Sequence, residues 1–187
     1  MWLTERDLII PIGYTTLRDR LADATRAAVE EAAEYWQLSP DAYVAFASAS
    51  HAFPGSDVVE SLYKVELLLR AGIPVDRIKY AGPITNTARE CLLIKKVLAA
   101  DGIKPKSIIA FADILHTRSV GWVLHRVFPD ADIVVCCIAA DAVQSDHPLP
   151  LQRTRIGWVA TNFCRQLFFW VFGLWPAKYI SQPAASS

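Results

Sequence analysis

Asp113, His116 and Arg118 fall within one hexapeptide, directly after the apolar run Ser107 to Ala112. Histidine transfers protons near neutral pH, and arginine clamps a phosphate or a carboxylate. His116 is therefore the candidate acid or base, and Arg118 the candidate anion clamp. A second polar turn, Thr85-Asn86-Thr87, opens a helical pattern. Unpaired amides at a helix start, with the helix dipole behind them, attract anions. Asn86 and Thr87 add side-chain donors there, although either is equally suited to a plain N-cap. In the turn Gly13-Tyr14-Thr15-Thr16, Gly13 allows close backbone approach and the Thr15 and Thr16 hydroxyls can donate to an anion. A tight turn with a Thr cap accounts for the same residues. The stretch from Ser48 to Asp57, with Ser48 and Ser50, is longer than a simple connection requires and reads as a binding loop. Glu60 follows one turn into the next helix.

These turns sit between elements that alternate. Strand patterns cover Asp7 to Ile12, Ala42 to Ala47, Arg77 to Ala81, Ser107 to Ala112 and Asp132 to Ile138. Helical spacing covers Leu17 to Trp36, Val58 to Ala71, Thr87 to Ala100, Thr117 to Phe128 and Arg155 to Trp175. Strict alternation predicts an α/β fold, a three-layer Rossmann-like sandwich with a mainly parallel five-stranded sheet plus a C-terminal helix. It is expected to form one domain over residues 1–176, with a core at about 7–138 and a frayed tail at 177–187. In such a sheet, ligands bind outside the carboxyl ends of the strands. The polar turns are predicted to converge there.

Composition narrows the function. The chain is 53% hydrophobic, and its 19 basic and 19 acidic residues cancel. With no basic run or stripe, a nucleic-acid partner is not expected. Cys91, Cys136, Cys137 and Cys164 show no CxxC spacing and read as reduced, buried thiols of a cytoplasmic protein. Glu5, Arg6 and Asp7 ahead of the first apolar run argue against a signal peptide. No spacing resembles a zinc site, and His116 with Asp113 is too few ligands for a metal. The dinucleotide GxGxxG, Walker and GxSxG motifs are absent. The run Leu167 to Trp175 is too short to span a bilayer, which needs ~20 apolar residues. It packs on the domain, pairs with a second subunit, or lies at a membrane surface.

The order of elements and several turn residues resemble the YdcF-like family of bacterial proteins (domain of unknown function 218), whose relatives include the SanA and ElyC envelope proteins. The matching features are Gly13 with Arg20 opening a helix, Glu60-Ser61, Gly72-Ile73-Pro74, Asn86-Thr87, and His116 with Arg118 close behind. The chain departs from the family pattern at Arg89 and Glu90, and at Ser119, where Arg118 stands in for an arginine one place further on. The resemblance implies a Rossmann-like domain. It implies Gly13, Arg20, Glu60, Asn86, Thr87, His116 and Arg118 as site residues, and S-adenosylmethionine or another nucleotide as a ligand class.

Three functions follow from these readings. The first is an enzyme acting on a phosphate- or nucleotide-bearing substrate, with His116 as acid or base. The second is a non-catalytic module binding a nucleotide-like ligand, with Glu60 the acidic residue left to hold a ribose. The third is a peripheral membrane protein of envelope upkeep, using its C-terminal helix.

Overall fold

The computed structural model describes residues 6–13, 16–17, 20–49, 59–84, 86–138 and 153–172. Its elements are β1 (Leu8–Pro11), α1 (Asp23–Trp36), β2 (Tyr43–Ala49), α2 (Glu60–Arg70), a 3-10 turn at Val75–Arg77, β3 (Ile78–Ile84), α3 (Thr87–Ala100), β4 (Ser107–Ala112), α4 (Thr117–Val127), β5 (Asp132–Cys137) and α5 (Arg155–Phe172). The five strands form one sheet in the order β3-β2-β1-β4-β5, with every neighbouring pair parallel.

The strand sequences are continuously apolar because both faces of the sheet are covered. Leu8, Ile10, Ile108 and Ala110 point to the layer of α3 and α4, where Cys91, Ile94, Leu98, Val120 and Leu124 meet them. Ile9, Val44, Phe46, Ile109 and Phe111 point to the layer of α1 and α2, against Ala28, Val29, Ala32, Tyr35 and Leu68. Burying each Ile or Leu side chain contributes ~1.5–3 kcal/mol. Alternate strand residues therefore fill two separate cores, and the fold is a Rossmann-like three-layer sandwich. The chain steps outward from β1 to β3, then returns past β1 to add β4 and β5, so the winding direction reverses between β1 and β4. That reversal opens the ligand crevice of such sheets.

Two predicted boundaries move by more than two residues. The first helix starts at Asp23 rather than Leu17. Thr16 instead bridges Leu21, and Leu17 and Leu21 are buried. Hydrophobic spacing alone could not separate this buried loop from a helix. Arg20 therefore lies exposed in that loop and does not open a helix. The third strand runs on to Ile84 through Gly82, at φ 106°, and Pro83, with a register shift opposite Phe46 and Ser48. An edge strand tolerates proline because no second neighbour needs its N–H. The cysteines are less uniform than predicted: Cys91 is buried, Cys136 is half-buried, and Cys137 and Cys164 are exposed.

Candidate functional site

The amino ends of α3 and α4 meet beside the winding reversal. Thr87, the first residue of α3, places its Oγ1 3.3 Å from Nε2 of His116, the N-cap of α4. Both residues are buried at the floor of this junction. Asn86 caps α3 by accepting from the Arg89 amide at 2.9 Å, which satisfies one of the amides a helix start leaves unpaired. Asp113 folds the loop after β4 into a turn. Its Oδ1 accepts from the Leu115 amide at 2.9 Å and from the Trp158 indole at 3.3 Å, tying α5 to the rim. Each helix then carries an exposed arginine in its first turn, Arg89 on α3 and Arg118 on α4.

That placement runs against helix electrostatics. The start of a helix bears a partial positive charge, so a cation there costs ~0.3–1 kcal/mol. Among the described residues no carboxylate pairs with either guanidinium, and α4 has no acidic residue in its first turn. Sequence features that break a local rule concentrate at functional sites. Both helices that meet at this junction therefore begin with an exposed cation.

Beneath lies a buried charge network. The Lys64 ammonium is fully buried, donates to the carbonyls of Gly13 and Ala47, and sits 2.7 Å from Oε1 of Glu60. This last contact is an ion pair off the hydrogen-bonding direction. The other Glu60 oxygen accepts from the Ala49 amide at 3.0 Å. Glu90, one turn along α3 from Thr87, accepts from the Ala47 amide at 3.4 Å, and its Oε2 is buried without a partner. Burial pushes the Glu90 carboxyl up to about 8, with the Glu60 charge adding to the rise and Lys64 and the Ala47 amide opposing it. Near neutral pH Glu90 is therefore protonated and Lys64 neutralises Glu60. This buried network is electrically balanced and offsets neither exposed arginine.

The structure brings Asn86, Thr87, Asp113, His116 and Arg118 to one end of the sheet, with Gly13 and Ser48 at the ends of neighbouring strands. Several of these residues hold the fold. A Cβ on Gly13 would lie 2.9 Å from the Thr25 Cα, so the close approach that glycine permits is to α1. The Ser48 hydroxyl pairs with the Tyr80 hydroxyl at 2.7 Å. Glu60 is buried and turned to Lys64, so it is not placed to hold a ribose. Thr15 and Ser50 lie outside the described residues. The sequence reading missed Lys64, Glu90 and Arg89. The legible signal was the spacing Glu60, Lys64, Leu68, which puts two charges on the face α2 buries. Two clefts among the described residues lie elsewhere, one below the amino ends of β1 and β2 and one between α1 and α2. Neither carries the histidine or the arginines.

Comparison with protein-family models, with curated proteins and with solved structures finds no match.

Proposed function

We propose that this protein is a YdcF-like domain that binds a small anionic ligand, phosphate- or nucleotide-bearing, over the junction of α3 and α4. The observation that supports it most is the pair of exposed arginines, Arg89 and Arg118, in the first turns of two adjacent helices. Helix amides, two guanidinium groups and an electrically balanced buried network all favour negative charge at this end of the sheet. With Glu60 committed to Lys64, the ligand property these residues select is charge rather than a ribose hydroxyl pair. The Thr87–His116 contact favours a second reading on the same ligand, in which His116 passes a proton during transfer or hydrolysis.

The test is calorimetric titration of the purified chain with inorganic pyrophosphate, ATP and S-adenosylmethionine. Arg118→Ala is expected to weaken binding by ~1.5–3 kcal/mol, the worth of a charged hydrogen bond, and Arg89→Ala to act in the same direction. His116→Gln is expected to spare affinity and to lower any turnover of the bound phosphate ester. Wild-type affinity in both arginine variants would overturn the reading.

A further inference from the structure

The outward face of α5 has the opposite character to that of an ordinary surface helix. Trp158 is buried and bonds to Asp113, and Gly157 and Thr161 flank it, so this side packs on the body. Ile156, Val159, Phe163 and Leu167 are 84%, 45%, 64% and 48% exposed. At 100° per residue these four fall within an arc of about 80°, and the exposed Ala160 and Cys164 extend it. Arg155 is the charge at its edge.

Charge says what this face meets. Four of the 19 basic residues and none of the 19 acidic ones fall in residues 147–187. That segment therefore carries +4 and the remainder of the chain −4, although the whole is neutral. A second copy of α5 would bring only more cations and no carboxylate to pair with them. An anionic surface complements them. No described helix is long and apolar enough to cross a membrane. An apolar stripe of Ile, Val, Phe and Leu, edged by arginine, is instead the pattern of a helix lying in the bilayer interface, sunk ~5–10 Å below the headgroups.

We propose that α5 docks the protein on the surface of an anionic lipid bilayer, with Ile156, Val159, Phe163 and Leu167 inserted and Arg155 at the headgroups.

The experiment is cosedimentation of the full chain with vesicles of phosphatidylcholine alone and of phosphatidylcholine with phosphatidylglycerol. Wild type is expected to pellet with the anionic vesicles and to be released by high salt. Arg155→Gln is expected to weaken that binding about fivefold, one cation's share at an anionic surface. Phe163→Glu is expected to abolish it while leaving the thermal unfolding midpoint unchanged, because Phe163 is exposed in the free protein. Failure of wild type to pellet, or full binding by Phe163→Glu, would overturn the proposal. So would a concentration-dependent dimer in sedimentation velocity that Phe163→Glu dissolves, since a second copy would then cover the face.

Discussion

Glu90 shows how one buried group writes itself into the pH dependence of stability. Its folded-state pKa, about 8, lies above its ordinary value of 4.5. The folded chain therefore holds a proton that the unfolded chain releases. Stability from this group is full below its ordinary value and is lost as pH rises toward 8, at ~1.4 kcal/mol per unit. Glu90→Gln keeps an acceptor for the Ala47 amide and removes the ionisation. Denaturant titrations between pH 5 and 8 are expected to show wild type weakening and the variant level, hence more stable than wild type at pH 8. Lys64 behaves oppositely. Lys64→Met strands the Glu60 carboxylate in the interior and is expected to cost ~3–5 kcal/mol in the same assay. Arg118 separates function from folding: Arg118→Glu places the favoured charge at the α4 start. It should raise the apo protein's stability by ~0.3–1 kcal/mol while abolishing anion binding.

At the scale of elements, the decisive contacts are those that hold one segment against another near the site. Gly13 lets β1 hand over to its loop against Thr25 of α1. Gly13→Ala puts a methyl 2.9 Å from a backbone atom, which cannot move as a side-chain tip could. The expected cost is ~1–3 kcal/mol of stability, as for other overpacked sites, read from the shift in thermal midpoint. For α5, Trp158 is the described anchor whose side chain is buried. Trp158→Ala is expected to release α5 without unfolding the sheet, so that trypsin cuts at Arg153 and Arg155 before it cuts elsewhere. Uniform resistance in that variant would mean α5 is held by other contacts.

Across the whole molecule, both cores depend on the three central strands. β1 pairs on both sides, with β2 and with β4, whereas β3 and β5 are edges. Hydrogen exchange is expected to be slowest at the amides of β1, the paired part of β2, and β4. It should be faster in β3, where Gly82, Pro83 and the register shift interrupt the ladder. Charge is also distributed at this scale: the neutral total hides a cationic C-terminal segment against an acidic remainder.

The alternation of apolar runs and helical spacing was enough to determine the α/β class, because strands buried on both faces must be continuously apolar and helices between them must be amphipathic. The same pattern located Gly13, Ser48, Asn86 and His116 at one end of the sheet, since parallel strands share a carboxyl end. Local spacing did not separate the buried loop at Leu17 and Leu21 from a helix, nor carry the third strand past Gly82-Pro83, because burial and edge position are properties of the assembled sheet. Above all, it did not show that Glu90 joins Glu60 and Lys64 in the interior, or that Arg89 and Arg118 open neighbouring helices. Those residues are 26 or more positions apart in the pairs Lys64–Glu90 and Arg89–Arg118. Only the packing of α2, α3 and α4 around the ends of β1, β2 and β4 brings their elements together, and burial there is the main cause that raises the Glu90 carboxyl.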